Sequence, residues 1–209
     1  MIIKLFVLNM IQTNTWVVTD EESKETIIID LGGDYKKVFD YIKEIGGNLK
    51  YILCTHGHFD HIMGLSDMQK DGINTPVYIN KKDEELATKR LNRMLEMFGF
   101  DGNCSEIKIT GYLDENTELF IGRTPVKIIE TPGHTKGGIC IEIDNMLFSG
   151  DTLFRREIGR CDLEGGDYNE IINSLKTKLA LLPDDMIVYP GHDATTVIGE
   201  EKKYNRYFQ

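Results

Sequence analysis

Apolar residues in this chain fall into two kinds of segment, short runs and helically spaced stripes. Runs at 2–7, 15–19 and 26–29 predict three early strands, the last ending at Asp30-Leu31-Gly32-Gly33. Val38, Tyr41, Ile42 and Ile45 then recur at helical intervals, with Asp34 as a cap before them and Gly46-Gly47 as a stop after them. A short run at 51–54 predicts a buried strand, and a helix is expected to begin near His61. From about 81 to 98, Ala87, Leu91, Met94, Leu95 and Phe98 share one helical face. That stripe can face the core. It can also roof a site, with Met94, Met97, Phe98 and Phe100 touching substrate.

The second half repeats one theme. A run at 126–130 leads to Thr131-Pro132-Gly133-His134, a run at 146–148 to Ser149-Gly150-Asp151, and a run at 186–189 to Pro190-Gly191-His192. Asp167 and Glu170 have capping spacing ahead of a helix with Ile171, Ile172, Leu175, Leu179 and Leu182 inward, ended by Pro183. With the run at 51–54, four apolar strands each deliver a loop carrying a candidate ligand. Such loops converge if two sheets face each other with helices outside. The expected fold is α/β, a four-layer αββα sandwich, in one domain spanning 1–209, because no linker or low-complexity tract divides it.

A chain of 209 residues is long enough for a substantial core. Its net charge of −10 argues against nucleic acid and against an anionic membrane surface as partners. The opening Met1-Ile2-Ile3-Lys4-Leu5 lacks the features of a signal peptide and reads as a strand. No apolar run approaches membrane-spanning length. Cys54, Cys104, Cys140 and Cys161 are widely spaced and form no C-x-x-C pair, which suits reduced thiols in the cytoplasm. Oligomeric state is not legible.

Candidate chemistry rests on the histidines. All five sit in short glycine-flanked motifs: His56, His58 and His61 in Thr55-His56-Gly57-His58-Phe59-Asp60-His61, then His134 and His192. Neutral imidazole is the commonest side-chain metal ligand, so complete recruitment points to metal. His56 and His58, two apart, can point the same way from an extended loop, while Asp60 and His61 enter a helical turn and face a second ion. With Asp151, these residues make a ligand set for two ions.

At these motifs, and at Asn14-Thr15 and the stretch 150–154, the chain resembles the metallo-β-lactamase fold superfamily, and within it the glyoxalase II-like hydrolases. The resemblance implies that His56, His58 and His134 bind one metal. Asp60, His61 and His192 would bind the other, and Asp151 would bridge them together with a hydroxide. Asp60 and Asp151 are then the carboxylates of the catalytic centre. The implied cofactor is a pair of divalent ions, zinc first, with iron or manganese as alternatives. Two such ions carry +4, and two aspartates and a hydroxide remove three charges, so the centre keeps +1 and attracts anions within an acidic protein. Metal-bound hydroxide attacks a polarised carbonyl, and a thiolate leaves without help from an extra acid. The expected substrate is a small anionic acyl thioester of the S-lactoylglutathione type.

Some features depart from the family pattern. Seventeen residues follow His192, where glyoxalase II proper adds a helical glutathione-binding domain. The family's glycine–lysine–aromatic–tyrosine loop is replaced by Gly159-Arg160-Cys161-Asp162. The chain therefore looks more like the short bacterial glyoxalase II-like hydrolases. Arg160, Lys202 and Arg206 are the candidate substrate contacts, although Arg155, Arg156 and Arg160 can equally form an internally paired loop. Persulfide dioxygenases share the fold and use one iron, and His56, His134 and Asp151 supply their ligand subset. A lactonase is a third reading.

Overall fold

Alternation along the central strands sends neighbouring apolar side chains to opposite faces of a sheet, and both faces are covered. The computed structural model describes residues 1–101 and 104–209. Its first half contains β1 (Ile2–Leu8), β2 (Thr13–Thr19), β3 (Glu25–Ile29), α1 (Tyr35–Glu44), β4 (Asn48–Leu53), α2 (Phe59–Lys70), β5 (Val77–Ile79), α3 (Glu84–Thr88), α4 (Leu91–Met97) and β6 (Gly111–Tyr112). The second contains β7 (Leu119–Ile121), β8 (Thr124–Glu130), β9 (Ile139–Ile143), β10 (Met146–Gly150), β11 (Leu153–Phe154), β12 (Glu157–Ile158), α5 (Tyr168–Thr177), β13 (Ile187–Pro190), β14 (Thr196–Val197) and α6 (Ile198–Tyr204).

β1 to β6 form one sheet in sequence order, antiparallel from β1 to β3 and parallel from β3 to β6. The second sheet has the order β14-β13-β10-β9-β8-β7, with β10 and β13 parallel. Between the sheets lie Trp16, Val18, Ile27, Ile29 and Leu53 from one side and Val126, Ile128, Ile141 and Phe148 from the other. On the outer face of the first sheet, Val17, Ile28 and Ile52 pack against Val38, Ile62 and Leu65 of α1 and α2. On the outer face of the second, Cys140, Leu147 and Val188 pack against Leu175 and Ile198 of α5 and α6. These four layers are the αββα sandwich that the sequence pattern predicts.

Local signals explain the helix ends. The Asp34 carboxylate accepts from the Lys36 amide, and Gly46 adopts φ +67° after the last turn of α1. Asp167 accepts from the Asn169 and Glu170 amides and opens α5. α2 starts at Phe59, two residues before His61, with His58 at the cap position. One expectation needs correction. The stretch expected as one helix from 81 to 98 is broken into α3 and α4. Both the Lys89 and Arg90 amides donate to the Glu85 carbonyl, and the Thr88 hydroxyl bonds back to Glu84, so the last turn of α3 widens and stops.

All four cysteines are free thiols. Among the described residues no helix is long and apolar enough to cross a membrane.

Phe148 is fully buried between the sheets, stacked on Tyr189 with centroids 5.0 Å apart and edge-on to Trp16. Phe148→Ala should cost about 3–5 kcal/mol of unfolding free energy, the usual loss for a buried phenylalanine. Phe120→Ala, at a site 52% exposed, should cost well under that. Urea denaturation compares the two, and equal losses would contradict the assignment of the inter-sheet core.

Candidate metal centre

Four strands, β4 of the first sheet and β8, β10 and β13 of the second, end on the same side of the sandwich, and the loops that follow them bring the candidate ligating groups together. β4 leads into the His56–His61 cluster, β8 to His134, β10 to Asp151 and β13 to His192. Gly133 and Gly191 allow the close approach. Gly133 has φ +135°, and a Cβ on it would lie 2.2 Å from the Ile171 amide nitrogen. A Cβ on Gly191 would lie 2.3 Å from Asp151 Oδ1.

The result is three overlapping groups whose ligand atoms lie within 4.8 Å of one another: His56–His58–His134, His56–His61–Asp151 and Asp60–His61–His192. Asp151 stands between the outer two. Its Oδ2 is 3.5 Å from His134 Nε2 and 3.6 Å from His192 Nε2, and its Oδ1 is 3.3 Å from His61 Nε2. Asp60 Oδ2 is 3.2 Å from both His61 Nε2 and His192 Nε2. All seven residues singled out in the sequence as ligands are therefore in one place.

Electrostatics set the protonation. Burial pushes His56 well below the usual imidazole range, helped by its histidine neighbours, and burial with the nearby His134 brings His58 down to about 3. These two rings present lone pairs. At His61 burial also opposes charge, but Asp60, Asp151 and Asp30 outweigh it and push the ring upward. The Asp151 carboxyl is held below its usual range because His61 outweighs the burial.

Several residues orient the ligands without joining them, and the sequence reading missed them. Asp30, at φ +55°, accepts from the Thr55 amide (2.7 Å), the Thr55 hydroxyl (2.7 Å) and His61 Nδ1 (2.8 Å). Thr13 donates to Asp60 Oδ2 at 2.9 Å, and Asn9 donates to the Asp60 carbonyl at 3.0 Å. Asp83 accepts from Gly57 N, Thr135 Oγ1 and Gly137 N, joining the loop of His56 and His58 to that of His134. Burial pushes the Asp83 carboxyl upward despite these three donors. The Asp30-Leu31-Gly32-Gly33 turn at a strand end was a signal for Asp30. Asp83 lies in an ordinary charged stretch and carried none.

The three candidate substrate cations separate. Arg160 lines the mouth of the centre with Ile11, Phe59, Met94, Phe98 and Leu163. Its backbone carbonyl accepts from His134 Nδ1 at 2.7 Å, and its guanidinium makes two 2.7 Å bonds to Asp162. That pairing holds the Asp162 carboxyl down to about 2. Lys202 and Arg206, also expected as substrate contacts, are not among the residues that line the mouth. Lys202 donates to the Leu182 carbonyl and to Asp184, which precede β13, whereas His192 follows it at the other end of that strand. Arg206 is engaged by Glu157 and the Tyr207 hydroxyl. Arg156 is likewise paired, with Glu200 and Glu201.

A profile of the Metallo-beta-lactamase superfamily matches residues 8–192. The chain belongs to this superfamily. It is 32% identical over 207 residues to "Hydroxyacylglutathione hydrolase GloC" of Haemophilus influenzae, covering 98% of this chain and 97% of that one. Among solved structures it resembles the BLEG-1 B3 metallo-beta-lactamase, with TM-score 0.89 and 33% identity over the full length of both chains. It also resembles TTHA1623 in a di-iron-bound form, with TM-score 0.85 and 29% identity over 98% of this chain and 99% of that one. At the level of class, this superfamily member is a metal-binding hydrolase.

The residues present fit such a group. His56 Nε2, His61 Nε2 and Asp151 Oδ1 are buried and make no hydrogen bond, while His58 Nδ1 and His134 Nε2 face each other at 2.8 Å. Unpartnered polar atoms of this kind are costly in a protein interior unless a cation satisfies them. His61 and His134 use their other ring nitrogen on Asp30 and the Arg160 carbonyl, the outer support that metal-binding histidines need.

Asp30→Asn replaces one of the two accepting oxygens with a donor, so it cannot accept from the Thr55 amide, the Thr55 hydroxyl and His61 together. Metal affinity should fall about 10–100-fold, the usual cost of losing such support. Competition with a chromophoric chelator measures it, and an unchanged affinity would remove the orienting role.

Proposed function

We propose that the chain is a dinuclear metallohydrolase acting on acyl thioesters of the S-lactoylglutathione type. The observation that carries this reading is the completeness of the constellation: two groups of three ligands with Asp151 between them, opening on one mouth. His56, His58 and His134 would hold one ion and Asp60, His61 and His192 the other, and Asp151, which lies between the two groups, would offer its carboxylate to both. Zinc is the first choice, iron or manganese the second. Two divalent ions bound there supply hydroxide near neutral pH and polarise a carbonyl.

The chain's own residues do the rest. Asp30 and the Arg160 carbonyl fix which nitrogens of His61 and His134 face inward. Thr13 fixes the Asp60 carboxylate. Phe59, Phe98 and Leu163 narrow the mouth and limit water. Arg160 offers its charge to an anionic substituent, which would displace the exposed Asp162. The likeness to GloC supports a thioester as the substrate.

Protein purified without chelator should contain two metal ions per chain by elemental analysis. It should hydrolyse glutathione thioesters faster than lactones, and Asp151→Ala should abolish hydrolysis and lower metal content. One iron per chain, with oxygen-dependent sulfite formation from glutathione persulfide and no thioester cleavage, would instead establish a dioxygenase.

Arg160→Ala should raise KM for anionic thioesters by up to roughly fivefold, since an exposed ion pair is worth up to about 1 kcal/mol. Neutral thioesters should change little. Equal effects on both would return Arg160 to its loop with Asp162.

A further inference from the structure

A second cavity continues from the mouth of the centre, away from Arg160. It is a partly open cleft of about 230 Å³ bounded by α3, α4 and the loop after β12. Its walls share His58, Met94, Phe98 and Leu163 with the mouth, and Leu86 and Met97 complete its apolar lining. Its charged residues are accounted for or lie at the edge. Arg90 is paired with Glu164 and Glu85, which clasps the two walls together, and Arg93 is exposed.

The face of α4 toward this cavity is only partly used by the core: Met94 packs against it, and the Phe98 ring that follows the helix lies 5.2 Å from Phe59. Leu91 and Leu95 fill the core from the other side of the helix and are 1% exposed. Met97 is 69% exposed and Phe98 43%, and Ile11 across the mouth is 40% exposed. Large apolar side chains left open beside a reactive centre mark a binding surface. Methionine adds a wall that adjusts to its occupant.

We propose that this cavity holds the apolar acyl chain of the substrate, so that the preferred thioesters carry straight chains of about six to eight carbons. The inference rests on the hydrolase reading and goes beyond it, because the chain is longer and more apolar than a lactoyl group. The cavity touches the centre at His58, so a carbonyl held among the ligands can direct its chain between Met94 and Leu163. The thiol part then leaves past Arg160 on the other side. Room for about 230 Å³ is on the order of eight groups of water size, taken at about 30 Å³ each. In the reaction, water adds its oxygen to the acyl carbon, the carbon–sulfur bond breaks, and the products are a carboxylic acid and a thiol.

The test uses the metal-loaded protein and two series of ligands built on N-acetylcysteamine. One series is S-alkyl thioethers of two to ten carbons, which cannot be hydrolysed, and their binding is followed by calorimetry. The other is acyl thioesters of the same lengths, whose cleavage is followed by thiol release. Affinity for the thioethers should rise about three- to fourfold per methylene up to roughly eight carbons and then level off. The kcat/KM of the thioesters should follow the same curve. Met94→Gln and Leu163→Gln should each flatten the dependence on chain length in both series. Affinity that does not change with length, or a dependence that both variants leave intact, would overturn the assignment of this cavity. Length-dependent binding without cleavage of any thioester would overturn the hydrolase reading and leave the cavity assignment standing.

Discussion

Imidazole lone pairs and carboxylates crowded at one buried end of a sandwich repel one another, and the surrounding fold has to hold them in place. His56, His58, His61 and His134 have ring centroids between 4.1 and 4.8 Å apart in four of their pairings. Without a cation, unpartnered atoms such as His56 Nε2 and Asp151 Oδ1 cost free energy that packing elsewhere must offset. A bound cation would satisfy the same atoms and remove that cost. The constraint explains why so much of the polar interior serves these seven side chains.

The two sheets are fastened together at that end. Asn14 of β2 donates its backbone amide to the Gly191 carbonyl at 2.7 Å, and its side chain bonds the Pro190 and Asp193 carbonyls. The Trp16 indole also donates to Pro190. From the other direction, the Ile139 amide of β9 bonds the Thr55 carbonyl. Backbone turns with positive φ gather here as well, at Asn9, Asp30, Gly133, Gly150 and Asp193. Asn, Asp and Gly tolerate that conformation best, so the chemistry of these loops and their turns are encoded by the same few residues.

Access to the centre is set by two walls with different characters. Arg160 and Asp162 make an exposed polar side, with the arginine's charge already partly satisfied. α4 and Leu163 make an apolar side. The break between α3 and α4 matters for this, because it frees Arg90 to reach Glu164 and leaves α4 short. One face of α4 fills the core while Met94 and Phe98 reach the mouth. The core-facing and roof-forming readings of this stripe thus describe two sides of one helix. Phe100 belongs to the first, packed on Phe59 and the core cluster.

The sequence by itself determined the layer order and which side chains gather at the candidate centre. Apolar runs such as those around Ile28, Ile52 and Leu147 are buried on both faces, which only a covered sheet allows, and each stopped at a glycine turn bearing His or Asp. Those are local signals, readable within a few residues. What lay far apart in sequence was decided by tertiary structure. Asp83 supports His134 across a separation of 52 residues to Thr135, and no local pattern marks it. Lys202 had the right charge, but α6 carries it to Asp184 at the opposite end of β13. Very short strands such as β5 and β6 exist only because β4 is there to pair with the first of them. Ligand identity follows from side-chain chemistry and turn geometry, both of which are local. The partner of a buried carboxylate or a surface lysine is set by which segments the sheets bring into contact.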